Sequence, residues 1–147
     1  MNFKNLLDKK IIEKIGKKKE LEFDMAERDL NVARDNFLSG NFDWALNIAY
    51  NAVLISGREL MFFFGYRPIG KEHHKAVFEF LRESGFDLNF IEYFDKIRKK
   101  RNKSIYGERE EIYEEFCEEV IQEADKFVHK IRTFVQKNKT GDEDETN

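Results

Sequence analysis

The chain has 147 residues, of which 41% are hydrophobic and 14% aromatic, enough for one domain with a real core. Charged residues make up 37% but cancel to a net charge of −3, so global charge gives no reason to expect nucleic acid or an anionic membrane, and electrostatics must be argued locally. One cysteine, Cys117, excludes an internal disulfide, and three scattered histidines offer no cluster spaced for zinc, so neither a metal nor a cofactor is expected and a reducing, cytoplasmic setting is the default.

The chain opens with MNFKNLLDKKIIEKIG, where lysines interrupt every apolar stretch before a signal peptide could form, and the later LMFFFGY is preceded by Arg58 and Glu59. No signal peptide and no spanning helix is expected. Residues 1–19 form a basic amphipathic segment in which Phe3, Leu7, Ile11 and Ile15 recur by fours. It suits a membrane surface, a partner's groove or, as terminal helices commonly do, docking on the bundle or on a second subunit.

From residue 20 the sequence is punctuated by few glycines and the single Pro68, and its apolar residues recur with a period near 3.6, which predicts an all-α fold. A first long helix spans about 20–38, with Phe23, Ala26, Leu30, Ala33 and Phe37 on one stripe. Ser39-Gly40-Asn41 ends it, Gly40 suiting a left-handed C-terminal position and Asn41 a cap for the next helix. That next helix, FDWALNIAYNAVLISGRELMFFF, is apolar around most of its circumference and belongs at the centre. Gly65 and Pro68 then predict a loop.

A short helix covers about His74 to Arg82 and stops at Ser84-Gly85. Asp87 can cap the following helix, with Phe86 and Ile91 at the two positions of a hydrophobic staple. The last helix, from about 109 to 137, carries Ile112, Phe116, Val120, Ala124, Phe127, Ile131 and Phe134 on a continuous stripe. The acidic remainder, 138–147, has no apolar residues and is expected to be disordered. GNFDWALNIAYNAVL would suit a hairpin of a tetratricopeptide array, but one hairpin is not an array.

The chemistry lies in RKKRNKSIYG, residues 98 to 107. Arg98, Lys99, Lys100 and Lys103 read as a solvated basic face, whereas Arg101 follows Phe90, Phe94 and Ile97 at helical spacing, where an apolar residue is due. A guanidinium there either snorkels past the core or meets an acceptor: an acidic side chain, a neighbouring subunit or a phosphate. Asn102 and Tyr106 are four apart and would share a face beside it, an amide and a phenol suited to phosphate or ribose. The bland alternative is a capping asparagine and a half-buried tyrosine. Residues 108 to 125, dominated by glutamate, follow directly, and such adjacent patches of opposite sign fit a two-fold interface better than a long duplex-binding face.

Taken together, the GNFDWALNIAYNAVL hairpin, the histidine opening HHKAVFEFL and RKKRNKSIYG before a final long helix resemble the HEPN superfamily over roughly residues 20 to 137. The resemblance implies an up-and-down bundle of about five helices, a homodimer, and an arginine motif facing a cleft between subunits. It implies three classes: metal-independent ribonucleases, toxins paired with a small nucleotidyltransferase antitoxin, and non-catalytic modules that bind RNA or nucleotides. The ribonuclease motif is an arginine, a polar residue and a histidine four to six residues after the arginine. Arg101 and Asn102 match the first two, and the histidine's place holds Tyr106, giving Arg101, Asn102 and Tyr106 as the catalytic positions.

Cleaving RNA without metal needs a group to move the 2′-hydroxyl proton, and a tyrosine, with a pKa about 10 against about 6.5 for histidine, is a poor base at neutral pH. The expectation is therefore a non-catalytic or weakly catalytic RNA- or nucleotide-binding module that works with a protein partner such as a small nucleotidyltransferase, in a toxin–antitoxin setting. The rivals are a metal-independent ribonuclease and a purely structural oligomer. His74, at a helix N-terminus, suits a hydrogen bond to loop backbone, and with Arg98, Arg101 and Lys103 it completes the candidate phosphate-binding set. His73 and His129 read as surface residues, and Cys117, in a glutamate-rich helix, as packing.

Overall fold

A computed structural model of the chain describes residues 2–18, 20–101 and 110–146, and at 101, 110–112 and 139–146 the backbone alone. Among the described residues six helices and one small ribbon follow in order: α1 (Lys4–Asp8), β1 (Ile12–Lys14), α2 (Asp24–Leu38), α3 (Phe42–Phe64), β2 (Tyr66–Pro68), α4 (His73–Glu83), α5 (Leu88–Arg101) and α6 (Glu110–Thr146). The all-α bundle expected from periodicity is thus observed. α6 runs to Thr146, past the expected end at about residue 137.

α3 is the central element because its apolar residues occupy most of its circumference: Ala45, Leu46, Ala49, Tyr50, Val53 and Leu60 are all buried. Gly65 ends it in the left-handed conformation, φ +88°, which needs no Cβ. Gly57 serves another purpose, since a Cβ there would lie 2.6 Å from Cγ1 of Val77, so its absence lets α4 approach α3. Asp87 caps α5 as expected, accepting from the Asn89 amide at 3.0 Å, with Phe86 and Ile91 both buried beside it. Asn41 stands at the N-cap of α3 but makes no side-chain capping bond; its amide instead approaches Asn36.

The strands are a departure from the sequence reading. β1 and β2 pair antiparallel, Ile12 opposite Pro68, Glu13 opposite Arg67 and Lys14 opposite Tyr66. Residues 3 to 15 are therefore not one helix: α1 stops at Asp8, and Ile12, 1% exposed, is buried through strand geometry rather than helical spacing. Further bonds extend the pairing, from the Ile15 amide to the Gly65 carbonyl at 2.8 Å and from the Ile69 amide to that of Ile11 at 3.0 Å. Phe3 seals the attachment by stacking on Phe80 at 4.4 Å. The N-terminal segment is docked on its own bundle.

Side-chain contacts fix how the helices run. Asn51 donates to Asp29 and Phe37 meets Phe42, so α2 is antiparallel to α3. Cys117 and Tyr113 sit against the start of α3 while Phe134 meets Phe64 at its end, so α6 runs with α3. Phe90 meets Phe127 and Lys100 lies over Phe116, so α5 is antiparallel to α6. The starts of α3 and α6 and the end of α5 consequently gather at one end of the bundle. α4 begins beside the first half of α3, where His74 reaches Tyr50.

Candidate functional site

At this end the last turns of α5 are anchored by a buried carboxylate. Asp95 follows Phe94 on the helix and is 3% exposed, a position no carboxylate holds without partners. It has several. Arg98, one turn on, donates from Nε to Asp95 Oδ1 at 2.7 Å; Arg82, at the end of α4, donates to Oδ2; and Lys99 Nζ stands 3.8 Å from the same oxygen. Arg82 also donates from Nε to Glu92 at 2.9 Å, tying α4 to α5 twice. Burial alone would raise the Asp95 pKa, but the bonds and charges of Arg82 and Arg98 outweigh it and hold the carboxyl below its ordinary value. Removing Asp95 would strand two cations, Arg98 with its side chain only 16% exposed.

On the opposite side of α5, Tyr93 donates to Glu119 of α6 at 3.0 Å, and burial followed by that bond pushes its phenol pKa up. Lys100 Nζ lies 5.4 Å from the centre of the Phe116 ring. Across the end of the bundle, Tyr113 of α6 donates to Asp43 in the first turn of α3. Cys117, one turn further along α6, is fully buried with Sγ 3.4 Å from the Phe42 carbonyl. Burial, helped by Asp43, pushes its thiol up to about 11, which leaves it protonated and a packing residue rather than a nucleophile.

His74, the second residue of α4, is exposed, and its Nδ1 lies 3.5 Å from the hydroxyl of the fully buried Tyr50, the two rings 5.8 Å apart. The Tyr50 hydroxyl of α3 is thus a polar partner within reach of its ring. His73 and His129 are exposed. Among the described residues no three His, Cys, Asp or Glu side chains stand where they could hold a metal ion.

The sequence-predicted residues of the basic run fall into three groups. Arg98 is placed, half-buried and committed to Asp95 through Nε. Arg101 is placed by its backbone, one turn beyond the buried Ile97 on the stripe of Phe94, at the end of the bundle just described. Asn102, Lys103 and Tyr106 lie outside the described residues. Asp95 and Arg82 were not singled out from sequence. The one available signal was an aspartate next to a stripe residue with a basic residue one turn on.

A helical bundle with a basic turn ending in arginine, beside a long final helix and a histidine-led short one, is the context in which a family comparison has meaning. The HEPN domain family matches residues 20–134. The chain belongs to the HEPN family. The match covers α2 through most of α6 and leaves α1 and β1 outside. HEPN domains are generally RNA-binding or ribonuclease-like modules. No curated protein matches the chain. No helix among the described residues is long and apolar enough to cross a membrane.

Proposed function

We propose that the chain is a HEPN-type binding module that holds single-stranded RNA or a nucleotide at the α5–α6 end of the bundle. In this reading it acts as a homodimer, together with a protein partner such as a small nucleotidyltransferase. The observation that carries the reading is the position of Arg101. It continues the Phe94 and Ile97 stripe at the end where α5 leaves the core, in a turn already fixed by Asp95. A guanidinium presented from an anchored turn can grip a phosphate with two parallel bonds and little loss of entropy. Asn102 and Tyr106, spaced four apart in the sequence, would add an amide and a phenol to the same ligand. Tyr106 in the histidine's place favours binding over cleavage, since a phenol donates to a phosphate readily and accepts a proton poorly.

A second reading, a metal-independent ribonuclease, is favoured by one observation: His74 is exposed at the start of α4 and belongs to the residue type best suited to moving a proton at neutral pH. Incubating the dimer with mixed cellular RNA in EDTA, beside Arg101→Ala, Tyr106→Phe and His74→Gln, separates the two. The binding reading expects intact RNA throughout. Cleavage that disappears in both Arg101→Ala and His74→Gln would make the protein a ribonuclease instead.

A further inference from the structure

The segment that precedes the family match is rich in lysine. Lys4, Lys9, Lys10, Lys14, Lys17 and Lys18 face only Asp8 and Glu13 within residues 2–18, and each of these lysines is exposed. Its apolar side chains are already spent on the bundle, Phe3 at 8% exposure, Leu6 at 4% and Ile12 at 1%. What remains for a partner is charge.

The ribbon brings this charge beside the start of α4, where two further lysines, Lys71 and Lys75, stand. A depression of about 470 Å³ opens between the residues just before β1 and the first turns of α4, lined by Lys10, Lys71 and Lys75 together with Ile11 and Ile69. Glu72 and Glu79 also line it, and Glu72 stands 3.9 Å from Lys75 Nζ, a loose exposed pair. Glu13 is taken by Arg67 across the ribbon. Lys9, Lys14 and Lys17 flank the depression in sequence, and among the described residues no ion pair involves them, Lys10 or Lys71. Lys75 and Glu79 of α4 and its N-cap Glu72 line the depression, on the helix whose His74 reaches Tyr50 of α3.

We infer that the β1–β2 ribbon and the α4 start form a second RNA contact, a lysine-lined depression that takes the phosphodiester backbone of single-stranded RNA bound by the chain. The inference rests on the binding reading above. Spread lysines without paired hydrogen-bond geometry suit a backbone rather than a base, and make an attraction that falls with salt. The buried state of Phe3, Leu6 and Ile12 argues against a membrane, because an interfacial segment needs an apolar face to insert.

The test is a titration of a labelled single-stranded RNA of mixed sequence against the full chain at several salt concentrations, with Lys10→Gln/Lys71→Gln and Arg101→Ala alongside. Both lysines are exposed, and thermal melting verifies that the double variant folds. The expected result is a loss on the order of tenfold at low salt and a salt slope shallower by about 1.4, roughly 0.7 for each phosphate contact removed. Binding that depends on Arg101 but is unchanged in affinity and slope by the lysine pair would overturn the inference and leave the binding reading standing. No RNA binding by the unaltered chain would overturn both. Capture of phosphatidylserine vesicles that the lysine pair abolishes, with RNA affinity unmoved, would assign the surface to a membrane and overturn the inference.

Discussion

The two ends of the bundle are built from different materials. At one, Phe3, Phe64, Phe80, Phe86 and Phe134 form a continuous set of ring contacts that joins the N-terminal segment, α3, α4 and α6. At the other, polar pairs stand among the ring contacts: Asp95 with Arg82 and Arg98, Tyr113 with Asp43, and Tyr50 with His74. Apolar burial stabilises whatever shape fills the space, whereas a buried carboxylate is tolerated only when its partners are held in place. The aromatic end accounts for stability, and the polar end costs more to build and holds charged groups in defined positions.

Breaking the aromatic end should have the largest effect. Phe80 is fully buried and stacked on Phe3, so Phe80→Ala is expected to lower stability by about 3–5 kcal/mol, read by denaturant unfolding, with RNA affinity unchanged wherever the protein remains folded. Loss of affinity in the folded variant would show that the two ends are coupled.

Asp95→Asn should cost less, about 2 kcal/mol at neutral pH, because Arg82 remains partly hydrated. Its pH dependence sharpens the comparison. The folded carboxyl titrates below its unfolded value, so its contribution is complete above about pH 4–5 and is lost as pH falls through the folded pKa. The stability gap between the unaltered chain and Asp95→Asn should therefore close as acid is added. A gap that stayed constant down to about pH 2 would mean that the charge on Asp95 is not what anchors the turn.

Tyr93→Phe is the mildest change, removing one bond to a Glu119 that is itself exposed. About 1 kcal/mol or less is expected from thermal melting.

Legibility in sequence divides along the same line. α3 was readable to the residue because Asn41 precedes and Gly65 follows a segment that is apolar around most of its circumference. The ribbon was not, since Ile12–Lys14 is three residues long and finds its partner across 54 residues, from Glu13 to Arg67, with no hairpin turn to announce it. Periodicity by fours at Phe3, Leu7, Ile11 and Ile15 misled because two different geometries bury that segment. At the polar end, the stripe that delivers Arg101 was visible, but the carboxylate anchoring the turn was not. Asp95 and Arg82 are 13 residues apart, and their meeting depends on the angle at which α4 packs on α5. The family's arginine and polar residue could be matched to Arg101 and Asn102 from sequence, and their setting came from packing.

The most direct test of the account is the affinity of the folded Arg101→Ala variant for a labelled single-stranded RNA, measured by fluorescence anisotropy in EDTA beside the unaltered chain. The account predicts tight binding by the unaltered chain and a loss on the order of tenfold or more in the variant, the cost of removing a charged bidentate contact. Equal affinity of the two, with both folded, would contradict it.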